Sequence, residues 1–158
     1  MSSKVYVALR VPVDPLHAFD VFTQDIGLWW RPSELFALTA EGDGVLAFEA
    51  GAGGRLLTTL PGGRCHEIGR ILAWEPGRLL AFTWRPESFD AAQSTQVQVR
   101  FEAVGNETRV SVEHSAWDTI PSEHVARHGF PDQATFRRVS EWWRSSLAAY
   151  LGRIRAAR

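Results

Sequence analysis

The chain has little of what marks secreted, disulfide-bonded or nucleic-acid-binding proteins. It contains one cysteine, Cys65, which excludes an intramolecular disulfide and any metal site made of several thiolates. The formal net charge is −1, so no basic surface for nucleic acid or for an anionic membrane is indicated. No run of about 18 apolar residues occurs, and the first residues do not resemble a signal peptide. We therefore expect a cytoplasmic protein that binds neither nucleic acid nor membrane.

Aromatic residues are the unusual part of the composition. The sequence has seven Trp and nine Phe, against an ordinary 45% of apolar residues. These rings either fill a core, or line a cavity that stays open because wide rings do not collapse into it. The length of 158 residues suits one domain that spans residues 1–158.

The last long segment predicts a helix against which the rest of the chain packs. Apolar residues recur at steps of three or four from Asp132 to Ile154, which is the period of a helix with one buried stripe. Asp132 is a suitable N-cap residue. The same period places Trp143 near the middle of the buried stripe and Trp142 well off it.

Most of the chain before that helix has the alternation of strands. Lys4 to Val11 alternates between apolar and polar residues, and two short helical segments follow, the second ending near Trp30. About six further strands are joined by short turns, which predict an antiparallel sheet. In the last strand His114 shares a face with Val112, so we expect its side chain to point toward the core or a cavity.

This order of elements resembles the helix-grip fold of the START and birch-pollen-allergen superfamily, also called SRPBCC. Several stretches narrow the resemblance to the bacterial homologues of the Aha-type activator of heat-shock-protein ATPase. They are Phe19 and Phe22 with Trp29-Trp30, Gly54-Arg55-Leu56, the run from Gly69 to Trp84 (GRILAWEPGRLLAFTW), Ser94 to Val97, and Thr108 to Ser115.

The resemblance implies an α+β architecture. A curved antiparallel sheet of about six to seven strands would wrap around the long C-terminal helix, with two short helices after the first strand. It also implies a deep cavity between sheet and helix. Members of the superfamily include lipid carriers, hormone receptors and polyketide cyclases, and the activator family adds a link to the stress response and to chaperones.

Within that fold, six residues are predicted to line a ligand pocket. The short helices and the strand ends would surround the mouth of the cavity, and His114 would be its polar residue. His114 is either a core histidine with partners inside the protein or a hydrogen-bonding group for a ligand. The six residues are Trp30, Phe82, Trp84, His114, Trp117 and Trp143.

Other polar residues give weaker signals. His66 and Glu67 are neighbours in a strand, so they face opposite sides and cannot act as one acid–base pair. Which of the two faces inward is ambiguous, because a bulge near Gly69 would shift the register. His124 and His128 have a spacing that can chelate a metal on a helix, but no third ligand is evident. We assign no catalytic residue and expect neither a metal nor a cofactor.

Three functions remain open. The first and favoured one is a binding protein for a small hydrophobic or aromatic molecule. The second is a polyketide-cyclase-like enzyme, and the third is a module that interacts with a chaperone. A homodimer formed through an edge strand such as Lys4 to Val11 is also open.

Overall fold

Seven strands and three helices make up the described part of the chain. The computed structural model describes residues 4–33, 37–90, 93–117, 120 and 132–156, and of Asp132 only the backbone. The strands are β1 (Val5–Val11), β2 (Val45–Phe48), β3 (Arg55–Thr59), β4 (Cys65–Glu75), β5 (Leu79–Trp84), β6 (Thr95–Val104) and β7 (Glu107–Ser115). The helices are α1 (Pro15–Gln24), α2 (Ile26–Trp29) and α3 (Asp132–Ala156).

The strands form one antiparallel sheet in the order β1-β7-β6-β5-β4-β3-β2. From β2 to β7 each strand lies beside the next one in the chain, and β1 closes the other side by pairing with β7. The sheet and the C-terminal helix confirm the predicted α+β helix-grip fold, with seven strands. β1 is at an edge of the sheet, and its pairing with a second copy of the chain stays a prediction.

The hairpin of β6 and β7 has one face on the core. Val97, Val99 and Phe101 are buried on β6, as are Val110 and Val112 on β7. Residues opposite each other in an antiparallel pair share a face. The predicted inward direction of His114 is confirmed, because His114 pairs with Val97 and is fully buried.

The first helix begins at the predicted position. The Asp14 carboxylate accepts a hydrogen bond of 2.8 Å from the His17 amide, and Pro15 occupies the first turn. Both features favour a helix start, since they satisfy or remove amide donors that have no helical partner. α1 continues two residues past the predicted end near Phe22, and α2 is confined to Ile26–Trp29.

The long helix α3 starts at the predicted residue and extends to Ala156, two residues beyond the predicted end. The predicted N-cap role of the Asp132 side chain lies outside the described residues. The prediction for Trp142 was wrong, because its side chain is 5% exposed and packs beside that of Trp143. A single buried stripe assumes one flat contact surface, whereas Trp142 on α3 also contacts the rings of Trp30, directly after α2, and Trp84, at the end of β5.

One buried hydrogen bond, one partly buried hydrogen bond and one ion pair hold α3 against α1 and the end of α2. The Tyr150 hydroxyl donates to the carbonyl oxygen of Ala18 at 2.7 Å. The Ser146 hydroxyl accepts from the Arg31 amide at 3.3 Å, and Arg153 pairs with Asp25 at 3.2 Å near the surface. Burial raises the pKa of Tyr150, so its hydroxyl stays protonated and available as a donor.

Replacing Tyr150 with Phe removes the buried hydroxyl and keeps the ring. We expect the free energy of unfolding to fall by about 1–2 kcal/mol, because the hydrogen bond to Ala18 is lost at a buried site where water does not replace it. Urea unfolding measures the change. The matched control is Tyr6→Phe, whose hydroxyl is bonded to Arg109 on an exposed face and whose loss should cost less than about 0.5 kcal/mol. Equal losses in the two variants would contradict this account of the α3 contact.

An irregularity in β4 decides which of its side chains face the core. The register shifts between Leu56 and Leu57 on β3, opposite Glu67 and Gly69. Gly69 is required there, since a Cβ at this position would lie 1.8 Å from the carbonyl oxygen of Thr83. The bulge that the sequence suggested therefore exists, and it interrupts the alternation that would otherwise assign the faces of β4.

Candidate functional site

Five of the seven Trp lie together with His114 between the sheet and α3. We call this group the tryptophan cluster. It consists of Trp30, Trp84, Trp117, Trp142, Trp143 and His114. Its residues come from the end of α2, the last position of β5, the end of β7 and the middle of α3.

The rings of the tryptophan cluster are in direct contact. Ring centroids of Trp30 lie 5.3 Å from Trp84, 5.2 Å from Trp142 and 5.6 Å from Trp143. The imidazole of His114 lies 4.9 Å from the Trp117 ring. These are the separations of packed aromatic pairs, mostly edge to face or tilted. In the described residues the centre of the cluster is thus filled by its own side chains.

His114 is held by a chain of hydrogen bonds. The Trp143 indole Nε1–H donates to His114 Nδ1 at 3.0 Å. On the other side of the ring, His114 Nε2 and the Thr95 hydroxyl are 2.7 Å apart, and that hydroxyl donates to the carbonyl oxygen of Trp84 at 3.1 Å. Thr95 pairs with Trp84 across the β5–β6 ladder, which brings its side chain diagonally beside His114.

The direction of each bond follows from which groups can donate. An indole N–H only donates, so His114 Nδ1 carries no proton. A carbonyl only accepts, so the Thr95 hydroxyl proton points at Trp84 and its oxygen accepts from His114 Nε2–H. Both ring nitrogens are thereby satisfied in the neutral state. Burial lowers the pKa of His114 from 6.5 to about 3, which keeps it neutral at ordinary pH.

This arrangement gives His114 a positioning role. Its ring connects α3 through Trp143 to the hairpin of β6 and β7 and, through Thr95, to the end of β5. A bound molecule could hydrogen-bond to either ring nitrogen only by displacing Thr95 or Trp143. The ligand contact predicted for His114 stays a prediction.

The predicted site residues fall into two neighbouring groups. Trp30, Trp84, His114, Trp117 and Trp143 come together in the tryptophan cluster. Phe82 is buried on the same strand face as Trp84, but its ring packs 5.2 Å from Phe48 on β2. It belongs to a second set of rings nearer the opposite end of the sheet, which consists of Phe19, Phe22, Trp29, Phe48, Trp74, Phe82, Phe101 and Tyr150.

One edge of the tryptophan cluster comes close to the surface. Trp30 is 7% exposed and Trp142 is 5% exposed, whereas Trp84, Trp117 and Trp143 are each 1% exposed. Trp30 and Trp142 are therefore the least buried residues of the cluster.

A buried carboxylate holds Trp30 in place. Asp43 Oδ2 accepts from the Trp30 indole N–H at 3.1 Å, and Asp43 Oδ1 accepts from the Leu38 amide at 3.0 Å. The Asp43 carbonyl oxygen in turn accepts from the hydroxyl of Thr58 on β3. Asp43 is 7% exposed, so this network fixes the surface edge of the cluster through buried polar contacts.

The chain turns sharply between His114 and Trp117. Ala116 has a φ of 68°, in the left-handed region that residues with a Cβ rarely adopt. The turn ends β7 and places the Trp117 ring 4.9 Å from His114. Strain of this kind persists where surrounding packing enforces it, and here the packing is that of the tryptophan cluster.

Replacing Ala116 with Gly should relieve this strain. We expect the free energy of unfolding to rise by about 0.5–1 kcal/mol, because glycine adopts a positive φ without steric cost. Ala103→Gly is the matched control: Ala103 is exposed in extended backbone on β6, where glycine should instead cost about 0.5–1 kcal/mol. Thermal or urea unfolding measures both. A loss of stability in Ala116→Gly would contradict the strained turn.

Within the described residues, no three His, Cys, Asp or Glu side chains group closely enough to hold a metal ion. His124 and His128 lie outside those residues. No described helix has both the length and the apolar character needed to cross a membrane.

Two kinds of comparison relate the chain to known proteins. The family described as "activator of Hsp90 ATPase homolog 1-like protein" matches residues 17–152. The match covers most of the 158 residues, and the chain belongs to this family. The resemblance read from the sequence is thereby confirmed. No curated protein matches the chain.

Solved structures share the fold across nearly the whole chain. A structure of MLL2253 from Mesorhizobium loti has 18% identity and a TM-score of 0.65, with 94% of each chain covered. PFC0360w, an HSP90 activator from Plasmodium falciparum, has 18% identity and a TM-score of 0.58, with 89% of this chain and 86% of that chain covered. Txn09, an anthrahydroquino-γ-pyrone synthase, has 30% identity and a TM-score of 0.52, with 89% and 90% covered.

Proposed function

We propose that this protein binds a small hydrophobic or aromatic molecule between the sheet and α3, against the tryptophan cluster. The observation that carries the proposal is the cluster itself, which gathers five of the seven Trp at one end of the sheet. Of the predicted residues, Trp30, Trp84, Trp117 and Trp143 form the proposed wall, with His114 at its base, and Phe82 extends it on the strand face that it shares with Trp84. Trp142, which the sequence did not predict, joins this wall.

The proposed binding position is the exposed edge of the cluster. The central rings already contact each other, so a flat molecule gains most by stacking on Trp30 and Trp142, the least buried residues of the cluster. Wide aromatic faces favour flat, fused-ring ligands over flexible chains. His114 supports this position indirectly, because its Nδ1 accepts a hydrogen bond from Trp143 and so fixes the Trp143 ring.

The comparisons support an aromatic ligand. The name of Txn09 states that it synthesises an anthrahydroquino-γ-pyrone, which is a fused-ring molecule. At 30% identity over 89% of this chain, this likeness goes beyond the fold-level similarity of the other structures. We take from it the class of ligand, namely a hydroxylated fused-ring aromatic, and not a particular compound.

Indole N–H signals in a proton–nitrogen NMR spectrum test the proposal residue by residue. The probes are 2-naphthol and 1,8-dihydroxyanthraquinone. Trp30→Phe and Trp74→Phe each remove one signal and thereby assign it. Trp74 is the matched control, because it is half-buried in the second set of rings, 5.1 Å from Phe19.

We expect the probes to shift the Trp30 signal and leave the Trp74 signal unchanged. Trp30→Phe should weaken binding about 3- to 10-fold, through loss of stacking area, and Trp74→Phe should leave the affinity within about twofold. Saturable binding that responds equally to both substitutions, or no binding of either probe, would contradict the proposed site.

Catalysis of ring closure is a second candidate, favoured by the likeness to the synthase. A γ-pyrone forms from an ortho-hydroxyaryl 1,3-diketone when the phenol oxygen bonds to the distant ketone carbon and that carbon then loses its oxygen as water. The overall change releases one water and needs no oxidant. A protein can speed it by holding the diketone folded against a flat surface, which the tryptophan cluster would provide.

Conversion of 1-(2-hydroxyphenyl)butane-1,3-dione to 2-methylchromone tests this second candidate. Ultraviolet absorbance follows the reaction, and acid-unfolded protein serves as the control. Ring closure accelerated about tenfold or more over the control, and slowed in Trp30→Phe, would support enzymatic function. A rate equal to that of the control, combined with probe binding, would leave binding as the function.

The name of the family also suggests a chaperone partner. The HSP90 activator from Plasmodium falciparum shares the fold at 18% identity, which carries no partner over to this chain. Retention of a purified Hsp90-type chaperone on immobilised protein, with faster ATP hydrolysis, would favour this role over ligand binding.

A further inference from the structure

His66 on β4 is a polar residue that lies outside the tryptophan cluster. Its ring nitrogen Nε2 is buried and has no hydrogen-bond partner among the described residues. A buried polar atom without a partner is destabilising, and such atoms are rare in folded proteins. This nitrogen is therefore a place where a bound molecule could supply the missing hydrogen bond.

The ladder of β3 and β4 shows which way His66 points. His66 pairs directly with Thr58, and directly opposed residues lie on the same face of a sheet. Thr58 is fully buried, between Leu56 and Leu60, which are also buried. The imidazole thus lies on the core-facing side of the sheet, and the ambiguity that the bulge caused in the sequence is resolved.

His66 is linked to the exposed edge of the tryptophan cluster by two residues. Thr58, its partner across the ladder, donates to the carbonyl oxygen of Asp43, and the Asp43 carboxylate accepts from the Trp30 indole. Trp30 is the least buried residue of the tryptophan cluster. Thr58 and Asp43 therefore connect the unsatisfied nitrogen of His66 to Trp30.

Charged groups near His66 are already paired with other residues. Arg64 pairs with Glu41 at 2.8 Å and with Glu87 at 3.7 Å. The pKa of Glu87 is lowered chiefly by the hydrogen bond from the Ala40 amide, and in smaller part by electrostatic interactions with Arg64 and His66. Glu87 is thus within electrostatic range of His66, but its carboxylate is bonded to Ala40 and does not satisfy Nε2.

We propose that His66 Nε2 selects ligands that carry a hydroxyl or carbonyl group on the aromatic ring system, by hydrogen-bonding to that group while the rings stack at Trp30. This inference rests on the proposed binding function and names the specificity residue of the same site. A neutral imidazole nitrogen either donates to a carbonyl or accepts from a hydroxyl, according to its tautomer. Sites built around such a bond discriminate strongly against analogues that lack the group.

The test compares 2-naphthol with naphthalene, which have the same rings and differ by one hydroxyl. Affinities are measured by calorimetry for the natural chain, for His66→Phe and for His66→Gln. His17→Phe is the matched control, because His17 is exposed on α1. Nitrogen NMR of the histidine rings gives an independent readout that does not depend on the stability of a variant.

We expect the natural chain to bind 2-naphthol about tenfold or more tightly than naphthalene, corresponding to one hydrogen bond. His66→Phe should abolish this preference while naphthalene still binds, His66→Gln should restore part of it, and His17→Phe should leave it unchanged. In the natural chain 2-naphthol, but not naphthalene, should shift the His66 Nε2 signal.

Two other results would distinguish a failure of the role of His66 from a failure of the binding function. A preference for 2-naphthol that persists in His66→Phe, with no shift of the His66 nitrogen signal, would overturn the role of His66 and leave the binding function intact. Failure of the natural chain to bind either compound would overturn the binding function and, with it, this inference.

Discussion

Replacing His114 with Ala is expected to lower the free energy of unfolding by about 4 kcal/mol. The substitution leaves a cavity at a fully buried position and removes the acceptor of the Trp143 indole and the donor to Thr95. Large-to-small changes in a core cost about 2–5 kcal/mol, and each stranded polar group adds about 1–3 kcal/mol. Urea unfolding at neutral pH measures the loss. His17→Ala, at an exposed position on α1, should change stability by less than about 0.5 kcal/mol.

A double-mutant cycle separates the hydrogen bond from the cavity. Trp143→Phe removes the indole donor, and its effect should depend on whether His114 is present. We expect the two substitutions to be non-additive by about 1–2 kcal/mol, because residues in one hydrogen-bond network share the lost contact. Additive effects, or a loss below about 1 kcal/mol in His114→Ala, would contradict the positioning role of the imidazole.

Acidification should destabilise the protein before most carboxylates titrate. Burial lowers the pKa of His114 to about 3 in the folded chain, against 6.5 for the free side chain. The unfolded chain therefore binds a proton on this residue between pH 6.5 and pH 3 and the folded chain does not. The stability that the neutral His114 contributes is fully present above pH 6.5 and is lost as the pH falls. The free energy of unfolding should therefore drop by about 2 kcal/mol between pH 7 and pH 5 from this residue alone.

The contribution of His114 is isolated by comparison with His114→Gln. Thr95 and the neighbouring Trp residues, which contact the imidazole, do not titrate in this range. The other four histidines are present in both proteins, so their effects cancel in the difference. Urea unfolding at pH 7 and pH 5 should give a steeper loss for the natural chain. Parallel losses would mean that His114 becomes protonated in the folded state.

Local patterns predicted much of this fold. The alternation in β6 and β7 identified which face is buried, and it correctly predicted that the His114 side chain points toward the core. The spacing of apolar residues located α3 to within two residues, and Asp14-Pro15 marked the start of α1. These features depend on neighbours in the chain, which the sequence displays directly.

Features that depend on pairing between strands could not be predicted from local sequence patterns. Thr95 becomes the partner of His114 because of the register of β5 against β6 and of β6 against β7. The direction of His66 depends on the bulge near Gly69, whose position the sequence left open. Trp142 was placed off the buried stripe because a helical period describes one contact surface, and α3 has a wider one.

Native mass spectrometry of the protein as purified from cells, before and after denaturation, tests the binding function most directly. We expect an excess mass of several hundred daltons that disappears on denaturation, or an adduct of the same stoichiometry after incubation with 2-naphthol or 1,8-dihydroxyanthraquinone. Either adduct should weaken in Trp30→Phe and persist in Trp74→Phe. A bare chain in every one of these spectra would contradict the claim that the tryptophan cluster is a binding site.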